Sequence, residues 1–242
     1  MVKGDKTISG AMLFQGDNTE VMKSQTFLEA IEGKTCCIVT DPPFNVGYHY
    51  NEYKDKRDEK EYYEWLASIF DLYGFPFVVI HYPEALYKLA FQVGLFPEKV
   101  CSWVYNANTP RQHRDIAYFG IKPDLSKVRQ PYKNPADKRI AERMASGIAG
   151  GALYDWWEIP QVKNVSSGKT SHPCQMPLEV MKNAIGILPE ELTIIDPFMG
   201  SGTTGMACKE LGRNFIGIEL NEDYYELSKT RIESHKWQLT LF

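Results

Sequence analysis

The 242-residue chain has no apolar run approaching the roughly 20 residues that a membrane helix needs. Its opening segment, MVKGDKTISG, has no apolar core of the kind a secretory leader carries. Both absences lead us to expect a cytoplasmic protein, in a prokaryotic cell or a virus-infected host, with no membrane contact. No C-x-x-C pair occurs. The five cysteines (Cys36, Cys37, Cys101, Cys174 and Cys208) are odd in number and scattered, which fits reduced thiols rather than a disulfide frame or a zinc cluster. His172 near Cys174 supplies two candidate metal ligands where a structural site needs four, so no metal is expected. There is no internal repeat, which sets aside solenoids and propellers. There is no excess of positive charge either: the formal net charge is -4, which argues against a general polyanion-coating protein.

What is present is an ordinary globular composition, 43% hydrophobic and 24% charged, in a length that suits one large α/β domain. Charge is unevenly placed. Between Asn108 and Gly150 stand nine basic residues (Arg111, Arg114, Lys122, Lys127, Arg129, Lys133, Lys138, Arg139 and Arg143) against four acids, a local +5 in a chain whose remainder is -9. A basic island in an acidic chain points either to a localised polyanion contact or to a solvated, loop-rich face.

Strand and helix signals alternate along the chain. Strands are expected at 36–39, 75–81, 100–105, 192–196 and 214–220, and 11–18 reads as a strand running into a polar turn. Helices are expected at 26–31, 61–73, 83–94, 176–188, 203–211 and 221–235. Pro83 marks one helix start, Gly94 and Gly212 mark helix stops, and Asn221 is a cap. The stretch 51–60, NEYKDKRDEK, has no apolar face and reads as a mobile loop. Residues 106–153 carry four prolines and a small-residue run; they read as an irregular insert with one helix near 136–145. The alternation predicts an α/β fold built on a mostly parallel, doubly wound sheet.

Two strand ends carry chemistry. The strand LTIID enters PFMGSGTTG and then a helix, so Gly200, Gly202 and Gly205 satisfy G-x-G-x-x-G in the right context. Glu219 stands near the end of the next strand, where an acid can bind ribose hydroxyls. The pattern predicts an adenosine-containing cofactor. A P-loop is excluded by the missing G-K-[ST]. Asp196, just before the loop, would repel a pyrophosphate but attract an ammonium and a sulfonium, which favours S-adenosylmethionine. The second strand end is CCIV followed by Asp41-Pro42-Pro43-Phe44. Proline has no N–H, so this turn offers carbonyls and a carboxylate without competing donors. Such a wall matches a group that is all donor, such as an exocyclic NH₂, and Phe44 offers a ring for stacking.

DPPF at 41–44, followed downstream by DPFMGSGTTGMACKELGRNFIGIEL at 196–220, resembles the amino-methyltransferases of DNA, in the motif order of their β class. FQGDN at 14–18, YDWWEIP at 154–160 and SHPCQMPLEVM at 171–181 resemble further motifs of that family. The resemblance implies a seven-stranded Rossmann-like methyltransferase sheet over 1–242, with residues 106–153 as an inserted target-recognition segment. It implies double-stranded DNA as partner, contacted through 108–150, in a monomer or homodimer. By the same resemblance, Asp41 and the Pro42 carbonyl accept hydrogen bonds from the target amino group, Pro43 holds the turn, and Phe44 stacks on a base flipped out of the duplex. S-adenosylmethionine would be held by Asp17, Asp196, Phe198, Gly200, Ser201, Gly202, Thr203, Thr204 and Glu219, with His172 and Pro173 beside it. Asp in the first position of the catalytic motif favours N6 of adenine over N4 of cytosine; a non-catalytic DNA-binding protein of the same fold is the other alternative. Cys174 and Met176 depart from the usual Thr and Lys, and Phe44 from the commoner Tyr. Tyr48, His49 and Tyr50 are placed to close over the nucleotide or to pack.

Overall fold

A computed structural model describes residues 3–6, 10–47, 55–148, 150–163 and 169–235. Each expected strand is found, joined by others into a nine-stranded sheet. In chain order the strands are β1 (Lys3–Lys6), β2 (Ala11–Gln15), β3 (Cys36–Thr40), β4 (Phe77–His81), β5 (Lys99–Val104), β6 (His113–Phe119), β9 (Trp156–Glu158), β10 (Thr193–Asp196) and β11 (Phe215–Glu219). Two further short strands, β7 (Arg129–Gln130) and β8 (Gly151–Ala152), pair with each other.

Across the main sheet the order is β1-β2-β11-β10-β3-β4-β6-β5-β9. The seven from β2 to β5 form the doubly wound core; β1 adds antiparallel to one edge and β9 parallel to the other. β2, β11, β10, β3 and β4 run parallel, so their carboxyl ends share one side of the molecule. β6 lies antiparallel between β4 and β5, which brings its first residues to that same side.

Alternation along the strands splits the core into two layers. Cys37 and Val39 of β3 and Val78 and Ile80 of β4 face one layer, with Val180, Ala184 and Ile185 of α6 (Leu178–Gly186), Ala207 and Cys208 of α7 (Thr203–Glu210), and Ile232 of α8 (Glu222–Ser234). Cys36, Ile38, Phe77 and Val79 face the other. There they meet Val21 of α1 (Asn18–Met22), Phe27 of α2 (Gln25–Ile31), Leu66 and Phe70 of α3 (Glu59–Asp71) and Leu89 of α4 (Pro83–Val93). Every residue of β3, β4 and β10 is buried, as expected for parallel strands covered on both faces.

The reading of 106–153 as an irregular insert with one helix is corrected at one place. Residues 113–119 form β6, paired with β4 over five residues and with β5 over six. Its sequence, HRDIAYF, hides a central strand because its polar start sits at the sheet edge and only Ile116–Phe119 are buried. The rest of the segment leaves the sheet after Gly120. It holds a 3-10 turn (Leu125–Lys127), the β7–β8 pair and α5 (Lys138–Ala145), no residue of which is buried. Leu153 N–H returns the chain to the carbonyls of Leu125 and Val128.

The third glycine of the loop motif has a packing reason. A Cβ on Gly205 would come within 2.4 Å of Ile232 Cδ1 and 2.7 Å of Phe215 Cε1, so α7 lies directly on β11 and α8. We expect Gly205→Ala to destabilise the fold by about 1–3 kcal/mol through overpacking. Chemical denaturation measures this as a lower midpoint with an unchanged slope.

Candidate active site

A cavity of about 330 Å³ opens at the carboxyl ends of the parallel strands. One wall comes from the turns after β2, β10 and β11; the other comes from the turn after β3, the start of β6 and α3. This is where open α/β sheets place ligands. The glycine loop and the Asp-Pro-Pro-Phe turn therefore face a single space.

The two strand ends are tied together behind the cavity. Asp196 Oδ1 accepts from Thr40 Oγ1 at 2.7 Å and from the Phe198 N–H at 3.0 Å, while Oδ2 accepts from Thr204 Oγ1 at 2.5 Å. One carboxylate thus joins the end of β3, the end of β10, the glycine loop and the first turn of α7. It is buried, and burial raises its pKa despite those donors. Asp196 is consequently not part of the cavity wall. Expected as a direct attractor of the cofactor's positive groups, it is spent on protein donors and contributes only its field.

On the loop side, Glu219 lines the cavity at the end of β11. Its Oε2 accepts the Gly200 N–H at 2.8 Å and its Oε1 the Asn221 N–H at 2.9 Å. An ionised carboxylate has about four acceptor sites, so two remain for hydroxyl donors. Gly200 has a φ of +51°, and a Cβ there would lie 3.0 Å from His172 Nε2. Only a bare backbone passes between the loop and the imidazole. His172 packs edge-on against Tyr224 with centroids 4.6 Å apart, and burial with nearby Lys169 and Arg231 lowers its pKa to about 4. Asp17 also lines the cavity; its carboxylate caps α1 by accepting from Thr19 N–H at 2.9 Å. Phe198 meets Trp65 of α3 edge-on at 5.4 Å, and both line the space.

The opposite wall is held by a relay of hydrogen bonds. The Tyr82 N–H donates to His81 Nδ1 at 2.8 Å, which leaves the proton of this imidazole on Nε2. Nε2 lies 3.0 Å from the Tyr62 hydroxyl, which donates in turn to the Pro43 carbonyl at 2.7 Å. Burial and the charges of Arg114 and Arg111 lower the His81 pKa to about 3, so the relay stays neutral. Pro43 is thereby fixed through its own carbonyl. The turn then leaves through Asn45, the one non-glycine at positive φ (57°) among the described residues. Its N–H and that of Val46 donate to the Asp55 carboxylate at 2.7 and 3.1 Å, and Asn45 and Arg57 exchange side-chain to backbone bonds.

Asp41 and Phe44 meet Arg114 of β6. The Arg114 Nη1 lies 3.9 Å from Asp41 Oδ2, and its guanidinium sits over the Phe44 ring, 4.5 Å from the centroid. Burial raises the Asp41 pKa to about 7; Arg114 opposes the shift and Asp196 adds to it. Asp41 Oδ1 has no hydrogen-bond partner among the described residues.

Of the residues singled out in the sequence, Asp17, Asp41, Pro42, Pro43, Phe44, His172, Phe198, Gly200 and Glu219 line the cavity. Ser201, Gly202, Thr203 and Thr204 are buried behind it, and Pro173 is beside it. Tyr48, His49 and Tyr50 lie outside the described residues. Of the stretch 51–60, Asp55 is buried against the catalytic-motif turn and accepts from its Asn45 and Val46 N–H groups, while the Arg57 backbone pairs with the Asn45 side chain. Arg114, Trp65, Tyr82, Asn18, Asn221 and Tyr224 were not found as cavity residues from sequence. Asn221 was legible as a cap; for the others only adjacency to strand ends could have served, and for Arg114 β6 itself was hidden.

A doubly wound sheet with an adenosine-type glycine loop and an all-acceptor turn on one cavity defines a transferase that uses a nucleoside cofactor. The DNA methylase family profile matches residues 35–230. The Type II methyltransferase M.HpaI of Haemophilus parainfluenzae is 30% identical over 81% of this chain and 68% of its own length. Among solved structures, the M1.HpyAVI–SAM complex aligns with a TM-score of 0.60 at 22% identity, covering 92% of this chain and 99% of that one. The PvuII DNA methyltransferase, described as cytosine-N4-specific, aligns with a TM-score of 0.63 at 18% identity, covering 95% and 88%. The chain belongs to the DNA methylase family that acts on N6 and N4 amino groups, and its cofactor is S-adenosylmethionine. The residues fit that cofactor: the Gly200 cradle excludes a side chain, and Glu219 retains acceptor sites facing the cavity.

The Asp196 knot is testable. Thr204→Val keeps shape but leaves Oδ2 without its donor, and we expect a loss of about 1–3 kcal/mol. Thermal unfolding should show a midpoint lower by several degrees.

Proposed function

We propose that this chain methylates the N6 amino group of adenine in double-stranded DNA at a short recognition sequence, taking the base into the cavity by flipping it from the duplex. The observation that carries this reading is the shared cavity: Asp41, Pro42, Pro43 and Phe44 line one space with Phe198, Gly200 and Glu219. Asp41 and the Pro42 carbonyl accept hydrogen bonds from the two amino N–H groups. Held so, the amino nitrogen becomes more tetrahedral and its lone pair turns out of the ring plane. S-adenosylmethionine, when bound, supplies an electrophilic methyl group. Glu219, with Asp17, orients the nucleoside end, so displacement is in line and gains from proximity. Asp41 offsets the charge that develops on the nitrogen and is placed to take the released proton. Adenine rather than cytosine is supported by the carboxylate in the first position of the turn.

The segment from Gly120 to Ala152 is read as the part that contacts DNA. Lys122, Arg129, Lys138, Arg139 and Arg143 are exposed there, and α5 buries none of its side chains. The similarity to a Type II methyltransferase supports a role in a restriction–modification pair.

Nucleosides from plasmid DNA, methylated by the enzyme after growth in an unmethylated host, should contain N6-methyladenine by mass spectrometry. N4-methylcytosine alone would overturn the base assignment. Asp41→Asn should abolish methylation while S-adenosylmethionine still binds by calorimetry. The Asp41 pKa near 7 sets the pH dependence. The working form is the carboxylate, so kcat/KM should fall about tenfold per pH unit below that value and level off above it. A flat profile from pH 5 to 8 would remove Asp41 from the reaction.

A further inference from the structure

Arg114 was counted from sequence among the basic residues of a DNA-facing segment, but its side chain is only 14% exposed. β6 runs antiparallel to its neighbours, so its second residue reaches the carboxyl ends of β3 and β4, and alternation turns Arg114 to the same face as Ile116 and Tyr118. Its guanidinium lies 4.5 Å over Phe44, 5.3 Å from the Trp103 ring and 5.8 Å from Tyr82. The Phe44 ring also has His81 against it, with centroids 4.3 Å apart and planes 30° apart. A base that stacks on Phe44 therefore meets the guanidinium already there.

Beyond the Tyr105 hydroxyl beside it, the guanidinium has only weak or distant acceptors for a buried cation. The distance from Nη1 to Asp41 Oδ2 is 3.9 Å, an ion pair too long for a hydrogen bond. Nη1 finds Met176 Sδ at 3.6 Å, a weak acceptor, and Nε has no hydrogen-bond partner among the described residues. Asp41 Oδ1 is unpartnered as well. A guanidinium is planar, carries only donors and stacks on rings. Those are the properties for which Phe44 and Asp41 would select an amino-bearing base.

We propose that Arg114 holds the place of the target base in the free enzyme, and that base entry exchanges one planar donor for another on Phe44 and Asp41. The inference rests on the proposed base-flipping reading of this cavity. Arg114 is then a positioning residue that keeps the cavity wall organised, at a cost in apparent affinity for DNA. That cost is the fraction of time the pocket stands open.

The test uses the full chain, tritiated S-adenosylmethionine and unmethylated plasmid DNA, at alkaline pH where Asp41 is ionised. Arg114→Met and Arg114→Ala should bind S-adenosylmethionine as wild type does. Their KM for DNA should fall on the order of tenfold, the penalty for a competent state populated at about 10%. Free guanidinium at non-denaturing millimolar concentration should inhibit Arg114→Ala competitively with DNA. It should leave wild type unaffected beyond an equal ionic strength of sodium chloride. A KM that is unchanged or raised in both variants overturns the proposal. So does a salt dependence of DNA binding weakened by about one counterion, the mark of a phosphate contact. If the truncations fail to bind cofactor, Arg114→Lys takes their place: it keeps the charge near Asp41 but loses the planar stack. A lower KM supports the exchange and a raised or equal one overturns it. Wild type that methylates no DNA would instead overturn the reading of the cavity itself.

Discussion

The site depends on one buried carboxylate. Asp196 collects hydrogen bonds from Thr40 at the end of β3, from Phe198 in the glycine loop and from Thr204 at the start of α7. The strand that ends in the cofactor loop and the strand that ends in Asp41 are thereby locked edge to edge, in the register Ile195↔Ile38 set by their pairing. Methyl transfer needs a donor and an acceptor held within a fraction of an ångström. A knot of short, charge-assisted bonds beneath both turns supplies that rigidity where two independent loops would not.

The same carboxylate has an electrostatic consequence. Two buried acids near each other raise one another's cost of ionisation. Burial raises the pKa of both; three donors work against that shift at Asp196, whereas at Asp41 only a distant Arg114 does. Arg114 also bears on a departure in the sequence. Met176 departs from the motif that the sequence resembles, and its sulfur lies 3.6 Å from Arg114 Nη1.

Much of this was legible in the sequence because local signals agreed. The G-x-G-x-x-G loop, the acid at the end of the following strand, and Asn221 as a cap all lie where the reading put them. The Asp-Pro-Pro-Phe turn does face the cofactor loop. What escaped depends on contacts between distant segments. β6 begins with His113, Arg114 and Asp115, and nothing local says that Arg114 ends against Asp41, Phe44 and Trp103. Asp196 read as a ligand-facing acid because Thr40 and Thr204, 156 and 8 residues away, are invisible as its donors until the strands pair. The stretch holding Asp55 read as a mobile loop because the partner of Asp55 is the backbone around Asn45, whose left-handed φ no pattern announces.

The central claim is that a donor loop and an acceptor wall share one cavity on a rigid sheet edge. A crystal structure of the enzyme with a non-reactive S-adenosylmethionine analogue and its DNA tests it most directly. The account predicts an extrahelical amino nitrogen within about 3–3.5 Å of the methyl position, hydrogen-bonded to Asp41 and the Pro42 carbonyl. A base held elsewhere, with Asp41 facing away from the cofactor, would contradict it.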